Sequence, residues 1–165
     1  MHNWHALSLL LHLLALALWL GGIAFFLAAF GPALTDLKAG GAMRSLNHGR
    51  MAFESVAWSG ITLLMITGGV NLVLRSQETG AHLGRTYMII LAIKLFLFVA
   101  MLVHHTLQVF KYGPKIAALT AEAPSDSVAW PEPLRAHWKK WFMLLKLNAG
   151  LGLVAMLLGV LLMES

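Results

Sequence analysis

The chain has 165 residues, of which 59% are hydrophobic and only 12% are charged, and its mean hydropathy is +0.75. This composition excludes an ordinary soluble domain. Because the chain contains no cysteine, it also excludes disulfides, thiolate-ligated iron–sulfur clusters and covalently attached c-type haem. We attribute the net charge of +5 to membrane topology, and we expect no nucleic-acid partner.

Four apolar stretches are long enough to cross the hydrocarbon core of a bilayer, which takes about 20 helical residues. They cover approximately residues 4–30, 51–74, 84–110 and 137–163. With their connections they use nearly the whole chain, which predicts one integral membrane domain over residues 1–165. The predicted fold class is all-α, a four-helix transmembrane bundle.

The first span carries His12 inside a run of leucine and alanine, and Trp19 follows seven residues later on the same helical face. Ionisable groups in hydrocarbon are costly and mark functional sites by default. His12 is therefore the leading candidate for a cofactor ligand. After this span, the segment GPALTDLKAGGA predicts breaks in the helix at Gly31, at Pro32 and at the Gly40–Gly41 pair.

The second span contains small residues that permit close packing of helices in lipid. Its short polar exit, RSQETGAHLGR, predicts that the second and third spans are antiparallel neighbours. The third span then carries Lys94, which matches the depth of His12 at roughly 10 Å below the outer edge of the hydrocarbon. Two costly groups at matching depth on different helices predict one shared site.

Helical phase also singles out His105 on the third span. Lys94, Met101 and His105 lie within about 40° of a common line, whereas His104 is rotated by about 80°. We therefore expect His105 to face the interior and His104 to be structural. With Met101 above it, His105 would form a second site with His48 or His137.

Each of the other spans also has one polar and aromatic stripe, and these stripes are expected to meet inside the bundle. Their members are His5, His12, Trp19 and Phe26; Glu54, Trp58, Ile61 and Met65; and His137, Trp141 and Asn148. In the connection before the fourth span, KIAAL predicts a short surface helix. Lys146 lies off the interior face and is expected to snorkel or to line a subunit contact, which is compatible with a homodimer.

Basic residues are unevenly divided between the two ends of the bundle. The first and third connections hold Lys38, Arg44, Arg50, Lys111, Lys115, Arg135, Lys139 and Lys140, whereas the second holds only Arg75 and Arg85. This bias of eight against two predicts that both termini are extracytoplasmic.

Two kinds of cofactor suit these residues. Imidazole is a good axial ligand for haem iron, four-helix bundles hold cofactors between facing helices, and an amine such as that of Lys94 ligates iron once deprotonated. Nine methionines and eight histidines would also suit copper. No phosphate-binding loop, carboxylate pair or nucleophile–base arrangement is present, which makes a hydrolase improbable.

The segments HLLALALWLGG, TGGVNL, KLFLFVAMLVHH and KLNAGLGLVAMLLGVLL resemble the CopD-type copper-resistance membrane family and the related HemJ-type protoporphyrinogen oxidases. The resemblance covers all four spans. In the HemJ-type family it implies b-type haem ligation by the residues matching His12 and Lys94, with His12 followed by Trp19 and Lys94 by His105. The Asn-Glu-x-x-Pro-like stretch of that family is missing, since Ala149 and Gly150 follow Asn148, which argues against porphyrinogen oxidation but not against haem binding.

We therefore expect a protein of a bacterial-type inner (cytoplasmic) membrane that binds one or two b-type haems. It would serve electron transfer or a small redox reaction, as a membrane oxidoreductase whose partner is another membrane redox protein or a quinone. The alternatives are copper transport or handling, as the CopD-type resemblance implies, and a structural subunit without a cofactor.

Overall fold

The computed structural model describes residues 2–34, 37–80 and 83–163, and all regular structure within them is helical. The helices are α1 (His2–Phe25), α2 (Ala39–Glu78), α3 (Arg85–Thr106), α4 (Gly113–Glu122) and α5 (Glu132–Met163). Wider π-helical turns extend α1 over Phe26–Phe30, before a last turn at Gly31–Ala33, and join α3 to α4 over Leu107–Tyr112.

Within the described ranges, four helical stretches are long and apolar enough to cross a membrane: Trp4–Ala33, Ala39–Glu78, Arg85–Glu122 and Glu132–Val160. The all-α fold with four membrane-length helices is thus confirmed. The side of the membrane on which the termini lie stays a prediction.

The helices associate as two pairs. α1 packs along α2, α3 packs along α5, and α1 also contacts α5. The second and third spans are neighbours, as expected, but they meet through large side chains, such as Trp58 against His105 and Arg75 over Tyr87, and their backbones stay further apart than those of the two pairs. The pairing follows the distribution of small and bulky residues: Gly60 of α2 lets the backbone of α1 approach at Ala15, a contact that a side chain would crowd.

α2 begins twelve residues before its predicted start at residue 51, and the Gly40–Gly41 pair lies inside it. The expected helix break at these glycines was wrong. Gly40 instead allows a close approach of the chain, since a side chain there would collide with the Ser125 carbonyl, and its N–H donates a hydrogen bond to the Ser127 carbonyl at 3.2 Å. The glycine pair therefore serves the docking of the connection before α5.

α4 contains the predicted KIAAL helix, but it continues directly from α3 and is not a separate surface element. One side of it is buried at Gly113, Ile116 and Thr120, where it packs against α5 and α2. Consequently the third helical stretch extends to Glu122, well beyond its predicted end at residue 110.

The connections before α2 and before α5 lie at one end of the bundle, which we call the basic end because it carries the eight basic residues of the first and third connections. The core is densest towards this end, where aromatic side chains of α1, α2 and α5 meet. Its largest fully buried members include Trp19, Ile23, Ile61 and Trp141. Met65 of the predicted interior stripe on α2 is 57% exposed, because the inner face of that helix turns through Leu64 and Thr67 instead.

Candidate cofactor site

His12 is held by a hydrogen bond between α1 and α2. Its Nδ1 lies 2.8 Å from Thr67 Oγ1, and the Thr67 hydroxyl is itself 2.7 Å from the Leu63 carbonyl oxygen, to which it donates. The single hydroxyl proton is thereby used, so Thr67 accepts the proton of His12 Nδ1. The imidazole is therefore the tautomer whose Nε2 carries a free lone pair.

The His12 ring lies against a gap in the side-chain surface of α2. A Cβ atom at Gly68 would stand 3.5 Å from His12 Cε1, whereas one at Gly69 would meet nothing within 4 Å among the described residues. Gly68 thus leaves space for the His12 ring, and the neighbouring Thr67 supplies the acceptor that fixes the orientation of the ring.

Lys94 reaches the same level of the bundle from α3. Its Nζ would lie 3.3 Å from a Cβ atom at Gly159, so the amine rests against the backbone of α5, and it is close enough to interact electrostatically with His12. Both side chains are only partly buried. The Lys94 charge thus lies within electrostatic range of His12, on a helix of the other pair, and a direct contact between the two groups stays a prediction.

Met101 and His105 are the only buried residues of α3, with exposed fractions of 3% and 0%. The interior orientation that helical phase predicts for them agrees with this burial. The His105 ring is surrounded by aromatic rings in edge-on contacts, with centroid distances of 5.2 Å to Trp58, 6.2 Å to Trp19 and 6.2 Å to Phe53.

Several buried polar atoms near His105 make no hydrogen bond of good geometry within the described part of the chain. They are both ring nitrogens of His105, Oε1 of Gln108 and the indole nitrogen of Trp19. The Gln108 side chain is nevertheless close enough to interact with the His105 ring. A buried polar atom without a partner is costly, and such groups are normally satisfied by water, an ion or a ligand. The ring nitrogens of His105 are therefore candidates for binding a water molecule, an ion or a ligand.

His104 has a structural environment, as expected. Its Nδ1 lies 3.0 Å from Asn148 Oδ1, and Asn148 Nδ2 donates to the Met101 carbonyl at 3.2 Å. Since Asn148 is fully buried on α5, these two bonds fasten α3 to α5 beside the His105 cluster.

His48 and His137 do not appear among the ring contacts of His105. His48 is exposed, and the aromatic neighbour of His137 is Tyr112, with a centroid distance of 6.2 Å. Within residues 2–34, 37–80 and 83–163 no group of three or more His, Cys, Asp or Glu side chains could hold a metal ion. The second site built from His105 with His48 or His137 stays a prediction without an assembled ligand set.

A buried ion pair on α2 was missed from the sequence. Arg50 Nη1 donates to both carboxylate oxygens of Glu54 at 2.7 Å, and the Arg50 Nε and Nη2 atoms donate to Asn47 Oδ1 at 3.1 and 2.9 Å. Arg50 is only 4% exposed, because it packs against Gly113, which has no side chain. The available signal was the opposite charge at a spacing of four residues beside an apolar span.

No protein-family model, curated protein or solved structure matches this chain. The described residues form an all-α protein with four membrane-length helices. Two inward histidines lie at separate positions in it, His12 beside Thr67 and His105 among aromatic rings.

Proposed function

We propose that this protein binds b-type haem in the membrane and serves electron transfer or a small redox reaction. The observation that carries the proposal is His12, whose Nδ1 proton is directed at Thr67 while its Nε2 lone pair is left for a metal. Histidines that bind metals almost always donate the other ring N–H in this way, which fixes the ring and raises its basicity.

The donor set fits haem better than a bare metal ion. A porphyrin supplies the equatorial nitrogens of its iron, so the protein has to contribute only one or two axial ligands. A bare transition metal takes all its ligands from side chains or water, whereas His12 and Lys94 together would meet the need of a haem iron. His12 would hold the iron, and Lys94 would be the second ligand or a neighbouring charge.

When bound, haem would supply one-electron chemistry at this position. The residues of the chain have separate tasks there. Thr67 orients His12, Gly68 leaves room for the ring, and Trp19 forms an apolar wall about two turns further along α1. We place the protein in a bacterial-type inner membrane with a membrane redox protein or a quinone as its partner, and its function as an oxidoreductase rests on the same site.

Copper handling is the second candidate. It is favoured by Met101 and His105, since a thioether and an imidazole are ligands that suit Cu(I), and these are the two side chains that α3 buries. A structural subunit without a cofactor is the third hypothesis.

The test is the absorption spectrum of the protein purified from haem-replete cells. We expect a Soret band and an α band that appears with dithionite, both lost in His12→Ala and altered in Lys94→Met. His5→Ala is the matched control, because His5 lies on the same face of α1 but pairs with Glu78 at 3.1 Å. A colourless protein that binds Cu(I) would favour copper, and one that binds neither would favour the structural subunit.

A second variant tests the role of Thr67. Thr67→Val keeps the shape but removes the acceptor for His12, and we expect cofactor affinity to fall on the order of 10–100-fold. Thr106→Val is the control, since the Thr106 hydroxyl bonds only to the Leu102 carbonyl of its own helix. Equal cofactor retention in the two variants would argue against the proposed role of the Thr67 hydrogen bond.

A further inference from the structure

A groove of about 630 Å³ opens at the basic end, between the last turns of α1 and the first turns of α5. Its walls are mainly apolar and include Leu27, Leu46 and Phe142. Phe142 forms the wall nearest to α1, where its ring lies 3.8 Å from the position of a Cβ atom at Gly31. The missing side chain at Gly31 therefore leaves space for the Phe142 ring just after the π-helical turns of α1.

Three cations line the same groove: Arg135, Lys139 and Lys146. Their spacing of four and seven residues places them within about 40° of one line along α5. Lys146 lies about 16 Å along the helix from Arg135, hence deeper in the membrane. An exposed lysine at that depth is costly unless its ammonium group reaches the interface or meets an anion.

These cations have little acidic compensation within the protein. Arg135 pairs with Glu132 at 3.6 Å, but both side chains are strongly exposed, and such a pair is weak. In the part of the chain that the structure describes, Lys139 and Lys146 have no acidic partner. The buried Trp138, which also lines the groove, has an indole N–H without an acceptor there.

We propose that this groove is a binding site for one anionic phospholipid. The three cations of the groove favour an anion, and its apolar walls favour an acyl chain. Arg135 and Lys139 lie nearer the interface than the apolar walls do, as a phospholipid headgroup lies nearer the interface than its acyl chains. Arg135 and Lys139 contact the headgroup phosphate from the interface. Lys146 extends its stem along the groove so that its ammonium group meets the phosphate from below. Basic pockets between membrane helices bind anionic headgroups for the same reason.

The test uses the full-length protein in detergent, with dioleoyl phosphatidylglycerol and dioleoyl phosphatidylcholine offered at equal concentration. Native mass spectrometry counts the bound lipid. We expect one phosphatidylglycerol to be retained in preference to phosphatidylcholine. In Arg135→Gln/Lys139→Gln its affinity should fall on the order of ten- to thirtyfold, as expected for two lost basic contacts.

The control variant is Lys111→Gln/Lys115→Gln, which removes the same charge from exposed positions at the same end but outside the groove. It should keep the wild-type affinity. An equal loss of phosphatidylglycerol affinity in both double variants would overturn the proposal, because the attraction would then come from the general surface charge. Equal retention of phosphatidylglycerol and phosphatidylcholine would also overturn it, because the groove would then bind acyl chains without recognising the anionic headgroup. Displacement of the lipid by excess inorganic phosphate would identify a free-anion site instead. The groove is remote from His12, so the absence of haem would leave this result unaffected.

Discussion

His12 and His105 are histidines in apolar surroundings, but their hydrogen bonding differs. His12 is partly buried and donates to Thr67, whereas His105 is fully buried and neither ring nitrogen has a partner among the described residues. An unmade hydrogen bond in a buried position costs about 1–3 kcal/mol. His105 therefore gains less from burial than a fully hydrogen-bonded histidine would.

This difference predicts opposite effects for two adjacent histidines. His105→Leu replaces an unpartnered polar ring by an apolar side chain, so the free energy of unfolding of the cofactor-free protein should stay unchanged or rise. His104→Leu leaves Asn148 Oδ1 without its donor and should lower that free energy by about 1–3 kcal/mol. Thermal denaturation in detergent measures both variants. A larger loss for His105→Leu than for His104→Leu would show that His105 has a structural role.

At the scale of the helical elements, short segments distant in sequence determine where helices start and how they meet. The beginning of α2 packs against the connection before α5 through Gly40, and its next turns place Arg50 against Gly113. Both contacts depend on the absence of a side chain at a glycine, and both lie at the basic end.

The glycine pair at the start of α2 gives a prediction with a built-in control. Gly40→Ala should destabilise the protein, because the new methyl group would collide with the Ser125 carbonyl. Gly41→Ala points into open space among the described residues and should raise the free energy of unfolding by roughly 0.5–1 kcal/mol through better helix propensity. Limited proteolysis of the connection before α5, together with thermal denaturation, distinguishes the two. If both alanines stabilise the protein, the close approach at Ser125 is wrong.

The Arg50–Glu54 pair predicts strong non-additivity. Each single replacement, Arg50→Met or Glu54→Gln, leaves a buried partner without its counterpart. For Arg50→Met, which leaves the Glu54 carboxylate unpaired, the free energy of unfolding should fall by about 3–5 kcal/mol. The double variant removes the uncompensated charge and should recover much of that loss. A double-mutant cycle on the free energy of unfolding measures the coupling. Additive effects would place Arg50 in contact with water or headgroups.

At the scale of the whole molecule, orientation in the bilayer follows from charge and not from packing. The basic end carries eight lysines and arginines in its two connections and the adjoining helical turns, and the opposite end carries two. Basic segments are retained in the cytoplasm during insertion, so the connections at the basic end should be cytoplasmic.

Reporter fusions test this orientation. An alkaline phosphatase fused to the C terminus should be active, and a fluorescent protein that folds only in the cytoplasm should be dark at the same position. The opposite pattern would reverse the topology. Fusions in the connection before α5 provide the internal control, because there the two reporters should exchange their behaviour.

The sequence by itself determined the four membrane-length helices and the inward face of α3. Hydropathy is a property of a continuous segment, so a sufficiently long apolar segment is enough to predict a membrane-spanning helix. The burial of Met101 and His105 likewise followed from helical phase, because the spacing along one helix does not depend on its neighbours. His12 was singled out because an imidazole in a run of leucine needs a partner.

Only the tertiary structure decided which partner each side chain received. Thr67 as the acceptor for His12, and Gly113 as the space for Arg50, depend on contacts between helices that sequence spacing does not encode. For the same reason the Gly40–Gly41 pair suggested a break, although it lies inside a helix whose first turn is packed against a distant carbonyl. Local rules predict where a helix can form, whereas the close approach of two backbones depends on the shape of both.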